Sequence, residues 1–252
     1  MKTTKKMTLL RVLLVVPIFF CFLVWLSVLF HNLPDSQCTI KFTIPKTITE
    51  IIALNSCLKL YYTSNYFIVL MLFSSVYIFK QSFCIPGSFI LNLIAGSLFG
   101  TSIGFILVCT LSSIGVSMCY VISKICGFEK LLNEFFSTGY IAKIKSSLEN
   151  LIQKNKDQLW YLLIVLRVIP ITPNWFLNLV APIVNIPLWT LTYTTFFGLM
   201  PYNYICCQSG QTLSSINSLD EIFTLQTTLQ LMSIAVALIM VKFASKFCVI
   251  NK

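Results

Sequence analysis

The chain is short of acid. Its 252 residues hold eight aspartates and glutamates against eighteen lysines and arginines. None of the eight lies between Glu50 and Glu129, between Asp157 and Asp220, or after Glu221. Proton-coupled carriers work through intramembrane carboxylates, so gaps of this kind in the most apolar sequence argue against a proton-driven carrier. There is one histidine, His31, and the ten cysteines form no paired Cys-x-x-Cys set. A zinc site therefore has no ligand set to draw on, and no metal or cofactor is expected. No nucleotide-binding loop is present, which removes coupling to ATP. No His/Cys/Asp constellation stands out, and an isolated serine or cysteine is no catalytic site, so the chain is not expected to be an enzyme. No Asn-x-Ser/Thr acceptor occurs either.

Charge of both signs is scarce, at 10% of residues, while 57% are hydrophobic. A soluble globular chain carries about 25% charged residues. The expectation is an all-α, polytopic integral membrane protein. The net charge of +10 sits mostly on lysines outside the apolar runs, where it meets anionic headgroups. With no nucleic-acid motif beside it, the charge points to the bilayer as partner and not to nucleic acid.

Taken in order, Lys2, Lys5, Lys6 and Arg11 precede an apolar run over residues 12–30, long enough to cross a core of about 30 Å. This is expected to be an uncleaved signal anchor with its basic end in the cytosol. A polar loop follows, with a surface helix expected over 48–60; Cys38 and Cys57 fall in it and would be able to pair if it is lumenal. Residues 66–79 form the next run, ending at Lys80, which is placed to snorkel to an interface. Residues 86–100 are broken by Pro86, Gly87 and Gly96. Residues 103–123 form a full-length span rich in small residues, which let helices approach closely. Over 124–158 charge is dense, and Ile141, Ile144, Leu148, Leu151 and Ile152 recur at helical spacing. That pattern fits an amphipathic helix at the bilayer surface, or a solvated connector. Runs over 159–169, 188–207 and 225–241 complete about five to six spans. Three parts are expected: 1–83 with two spans, 84–212 with both broken segments, and 213–252 with a polar loop and the last span.

The broken segments resemble each other. Lys80 is followed by Pro86 and Phe89, and Arg167 by Pro173 and Phe176, at the same spacing. Both continue into Leu-Asn-Leu-(Ile/Val)-Ala, which places Asn92 and Asn178 in equivalent positions. In the second copy Pro170, Pro173 and Pro182 interrupt the apolar run, and an interior proline removes a backbone bond and clashes with the preceding turn. Paired broken segments in corresponding positions are the sequence mark of a midplane site in an inverted-repeat membrane protein. Freed backbone groups need protein or water partners, so the segments are expected to be re-entrant and to line a polar groove. Lys80, Ser88, Asn92, Arg167, Thr172, Asn174 and Asn178 are the candidate lining, with cations suited to a phosphate headgroup. Snorkelling by Lys80, structural pairing of Arg167 and helix-to-helix bonding by the asparagines are the plainer readings of the same residues.

Three stretches carry a family resemblance: KQSFCIPGSFILNLIAGSLFG, LRVIPITPNWFLNLVAPIVNIP and FFGLMPYNYICCQSGQTLSS. They resemble the VTT or DedA membrane proteins, and more closely the transmembrane protein 41 family, with its A-type branch nearest. The Arg-x-x-Pro-x-x-Pro-Asn-Trp-Phe run, Arg167 to Phe176, is the specific signature. The resemblance implies an endoplasmic reticulum protein with two re-entrant segments in inverted halves. Its B-type members scramble phospholipids and support autophagosome and lipoprotein formation, while bacterial relatives move a lipid-phosphate carrier. Fold does not fix function. ATP-independent phospholipid scrambling is the leading expectation, with phospholipids as partners. An ion or small-solute transporter using the same site and a non-transporting membrane scaffold remain alternatives.

Overall fold

The computed structural model describes residues 13–32, 47–127, 139–154, 158–169, 173–212, 229, 231–234 and 236–237. Its regular elements, among the described residues, are helices: α1 (Val15–His31), α2 (Ile48–Ser64), α3 (Tyr66–Ser82), α4 (Ser88–Cys126), α5 (Gly139–Lys154), α6 (Leu159–Val168), α7 (Asn174–Val180), α8 (Leu188–Gly198) and α9 (Met200–Gln211). One of them, α4, is long and apolar enough by length and composition to cross a membrane. Large apolar side chains cover much of the outside, Phe67 at 76% and Trp189 at 77% exposure among them. A surface of that kind is suited to lipid and not to water.

The 39 residues of α4 are not one straight rod. Gly100, at φ 77° and ψ 165°, interrupts the helix, in a region of backbone space open essentially to glycine alone. The Tyr77 hydroxyl shows what the interruption does. It donates to Asn92 Oδ1 at 3.0 Å and also lies 2.8 Å from Ser112 Oγ. In a straight helix those two partners would stand ~30 Å apart, so the halves of α4 must fold back against each other. Gly100→Ala should therefore lower stability by about 1–3 kcal/mol, the usual cost of forcing a side chain into such a conformation. Thermal unfolding in detergent is the measurement, and an unchanged midpoint would count against a required reversal.

α3 and the first half of α4 form a hairpin laid along the second half of α4. Its core joins Val69, Phe73 and Tyr77 to Ile94, Leu98 and Phe99 and to Val108 and Leu111. The Phe99 ring closes the open end against Phe73 and Tyr62. A second hairpin is built by α6 and α7, joined to α8 by the turn at 181–185. Leu159 and Leu163 pack there with Ala181, Ile186 and Leu191, and with Val116 of α4. Pro201 stands in the first turn of α9 and cannot donate back to Phe197, so the expected single span over 188–207 is divided at Leu199.

The second half of α4 and the α8–α9 pair run antiparallel. Thr101 Oγ1 donates to Gln211 Oε1 at 2.6 Å, Ser117 and Thr192 hydroxyls meet at 2.7 Å, and Lys124 Nζ donates to Asn185 Oδ1 at 2.9 Å. Each of these two antiparallel segments thus carries one hairpin.

Several expectations need correction. The helix over 48–60 extends to Ser64 and does not lie free on a surface. Ile51 is buried against Leu93, and Asn55 Nδ2 donates to Ser97 Oγ at 2.8 Å, fixing α2 on α4. Thr47 starts it by accepting from the Glu50 N–H at 3.3 Å, as N-cap threonines do. Gly96 is not a break but an interior residue of α4, and the interruption falls four residues later. The amphipathic run does form α5, and its Leu151 and Ile152 line a small apolar cavity with α6 and α7. α1 packs on α3 through Leu26, Leu29 and Leu72, with Trp25 Nε1 donating to Ser75 Oγ at 3.1 Å. Cys57 is disulfide-bonded; Cys38, named with it above, lies outside the described residues, as does most of the last span.

Candidate functional site

Two buried cations mark the site. Lys80 is 8% exposed and Arg167 5%. Each stands at the end of a hairpin's first helix, where the chain turns toward the next: Lys80 in the last turn of α3, Arg167 in the last turn of α6. Burying a charge costs several kcal/mol unless it is paired and hydrogen-bonded. Sequence supplied no nearby carboxylate, and the folded chain supplies neutral oxygens instead.

Arg167 NH1 donates to Asn174 Oδ1 at 2.7 Å, and NH2 donates to Asn178 Oδ1 at 3.1 Å. Asn174 and Asn178 are one turn apart on α7, so both oxygens face the planar fork of the guanidinium. Its Nε is buried without a hydrogen-bond partner among the described residues. Lys80 Nζ donates to Ser88 Oγ, the first residue of α4, and to Gln81 Oε1 at 3.3 Å. It also lies 6.0 Å from the Tyr77 ring centroid, at the outer limit of a cation–π contact. In each half, then, the cation reaches the first residue of the helix that follows it, eight positions on in one and seven in the other.

The packing behind the cations repeats too. A methyl group on Gly115 would come within 2.5 Å of Gln81 Cβ, and one on Gly198 within 3.0 Å of Arg167 Cβ. Gly115 thus faces the residue next to Lys80, and Gly198 faces Arg167 itself. Gln81 and Arg167 fit there because the facing residue has no side chain.

The asparagines diverge. Asn178 serves Arg167. Asn92, with no exposed surface, instead takes the Tyr77 hydroxyl bond and donates from Nδ2 to Asn203 Oδ1 at 2.9 Å. Asn203 Nδ2 in turn points at Cys109 Sγ at 3.4 Å. This network ties α3, both halves of α4 and α9 together at the same level. Sequence reading had not singled out Tyr77, Ser112 or Asn203 for this role. The only available signal was that an asparagine and a tyrosine stand inside apolar runs.

Among the other expected residues, Pro86 and Gly87 occupy the break between α3 and α4, and Gly87 is left-handed at φ 101°. Pro173 immediately precedes α7, and Pro182 lies in the turn that follows it. Pro170 and Thr172 lie outside the described residues. Lys80 and Arg167 each bond within their own half, and both are closed off by packing.

The VTT domain family model matches residues 85–212. A transmembrane protein 41 homolog of Caenorhabditis elegans is 35% identical over 208 residues, covering 81% of each chain. One from Dictyostelium discoideum is 34% identical over 208 residues, covering 82% of this chain and 60% of its own length. Transmembrane protein 41B of Danio rerio is 31% identical over 233 residues, covering 91% of this chain and 80% of its own. No solved structure matches. With a matched domain that runs from the break before α4 through α9 and relatives aligned over most of its length, the chain is a membrane protein that belongs to the transmembrane protein 41 family of VTT-domain proteins.

Proposed function

We propose that the protein is an ATP-independent phospholipid scramblase of the endoplasmic reticulum, with the two hairpins as re-entrant segments and the cations between them as headgroup contacts. The observation that carries this reading is the pair of buried cations, one in the last turn of each hairpin's first helix, held only by hydroxyl and amide oxygens among the described residues. A phosphate brings the negative charge that neutral partners do not, and it accepts bidentately from a guanidinium. The open Nε of Arg167 is a further donor for it. The described state is the closed one; lipid passage requires the hairpins to part from the crossing pair and admit a headgroup. Without carboxylates in the apolar segments, net movement follows the lipid gradient in either direction.

The same reading implies a topology. α3 and the first half of α4 enter and leave on one side, because Phe99 meets Tyr62 and Phe73. With α1 running from cytosol to lumen, only the second half of α4 then changes sides again. That returns the lysine-rich 124–158 stretch to the cytosol, as the positive-inside rule prefers. If α3 were a complete span and the broken segment an addition to it, the same stretch would lie in the lumen.

The test is purified protein in liposomes with a fluorescent phospholipid and a membrane-impermeant bleaching agent. Bleaching beyond the outer leaflet, without ATP or an ion gradient, is the expected result. Bleaching that stops at half in intact, protein-containing vesicles would overturn the proposal. A solute flux without lipid movement would favour the transporter reading instead.

A further inference from the structure

We propose that Cys84 and Cys119 form a redox-sensitive staple that, when oxidised, fixes the tip of the first hairpin to the crossing half of α4. Their Sγ atoms stand 3.3 Å apart, and both are free thiols. The second observation is the backbone beneath Cys84. The Ile85 N–H bonds to the Lys80 carbonyl at 2.9 Å, and the Cys84 N–H to the Gln81 carbonyl at 3.3 Å. These two bonds define a Schellman end to α3 with Cys84 at the left-handed position, normally held by glycine. Cys84 occupies it at φ 53°, at a cost of about 1–2 kcal/mol relative to a right-handed residue. A side chain kept where glycine is easier argues for a use of that side chain, and this one is aimed at a second sulfur.

The exposures set an order of events. Cys84 is half-buried beside exposed Pro86, while Cys119 is buried within α4. In detergent-solubilised protein a small-molecule disulfide meets the less buried Cys84 first, and its thiolate attacks, expels one thiolate and forms a mixed disulfide. Cys119 then gives up its proton and attacks the Cys84 sulfur, expelling the second thiol. Two protein thiols become one disulfide, and the external disulfide becomes two thiols. The sulfurs must close by more than 1 Å to reach bonding distance, about 2.05 Å, and the adjustable element is the break at 83–87. The closed loop ties down the segment that follows Lys80 and leads to Ser88.

This inference does not rest on lipid movement, and its test is chemical. Purified full-length protein in detergent is treated with diamide, an azo oxidant that takes up the two electrons and two protons as a hydrazine. Free thiols are then alkylated, and the digest is read by mass spectrometry. The expected product is a peptide pair linked through Cys84 and Cys119, released by dithiothreitol. Oxidation should also raise the thermal midpoint by about 5 °C, because the link restrains the unfolded chain. The rise should be absent in Cys119→Ser and in Cys84→Gly, a variant suited to the left-handed position and so expected to fold. Recovery of both cysteines alkylated after oxidation, a link from Cys84 to any other cysteine, or a link without a change in midpoint would overturn the staple.

Discussion

Arg167→Ala is expected to abolish most lipid movement while leaving a protein that still folds. The guanidinium makes two charge-assisted bonds, to Asn174 and Asn178, and leaves Nε open. A hydrogen bond to a charged group contributes about 1.5–3 kcal/mol, so losing one to a passing phosphate should slow transfer by about ten- to a hundredfold. The structural cost pulls the other way. Alanine removes a buried cation, which is costly to keep, but it also strips the Asn174 and Asn178 oxygens of their donor, and the two effects offset in part. Arg167→Lys separates the effects. Lysine keeps the charge but is a point donor and cannot span two oxygens set one turn apart. It should recover part of the rate and none of the bidentate geometry. Liposome bleaching gives the rate and thermal unfolding the fold. A well-folded Arg167→Ala protein with unaltered bleaching would remove this residue from the lipid path.

The cations, the proline breaks and the pairing of the two halves were legible because they are local. Proline sets backbone conformation where it stands, and a charge in an apolar run announces itself. What was not legible depends on residues far apart in sequence. Asn92 and Asn178 look equivalent in the repeat, yet Asn92 bonds Asn203, 111 positions away, and Asn178 bonds an arginine on the adjacent helix. Nothing in the Leu-Asn-Leu pattern distinguishes them. The glycines misled for a related reason. Gly87, Gly96 and Gly100 look alike in sequence, but two of them hold left-handed or reversed backbone and one admits a neighbouring helix. Spacing reveals that small residues are wanted; only the fold says whether the demand is for conformation or for room.

Gly96 supplies the second large effect, and it is one of room. A Cβ added there would meet the Cys207 carbonyl oxygen outright, with its carbon at 2.6 Å and the Cys207 Cα at 2.7 Å. All three atoms are main chain and belong to α9, so no rotamer change relieves the contact. The helix itself must move. Outward movement of α9 carries Asn203 from Asn92, whose bond is now 2.9 Å, and loosens Tyr77 and Ser112 with it. Overpacking typically costs about 1–3 kcal/mol where side chains can adjust. A backbone clash that also opens a buried polar network should reach or exceed the upper end of that range. Gly96→Ala is thus expected to lower the thermal midpoint in detergent by about 6 °C or more, more than Gly100→Ala. Cys207→Gly should not rescue it, since the obstruction is the peptide and not the thiol. Rescue by Cys207→Gly, or a midpoint within about 2 °C of the parent, would mean that α4 and α9 do not meet as closely as described.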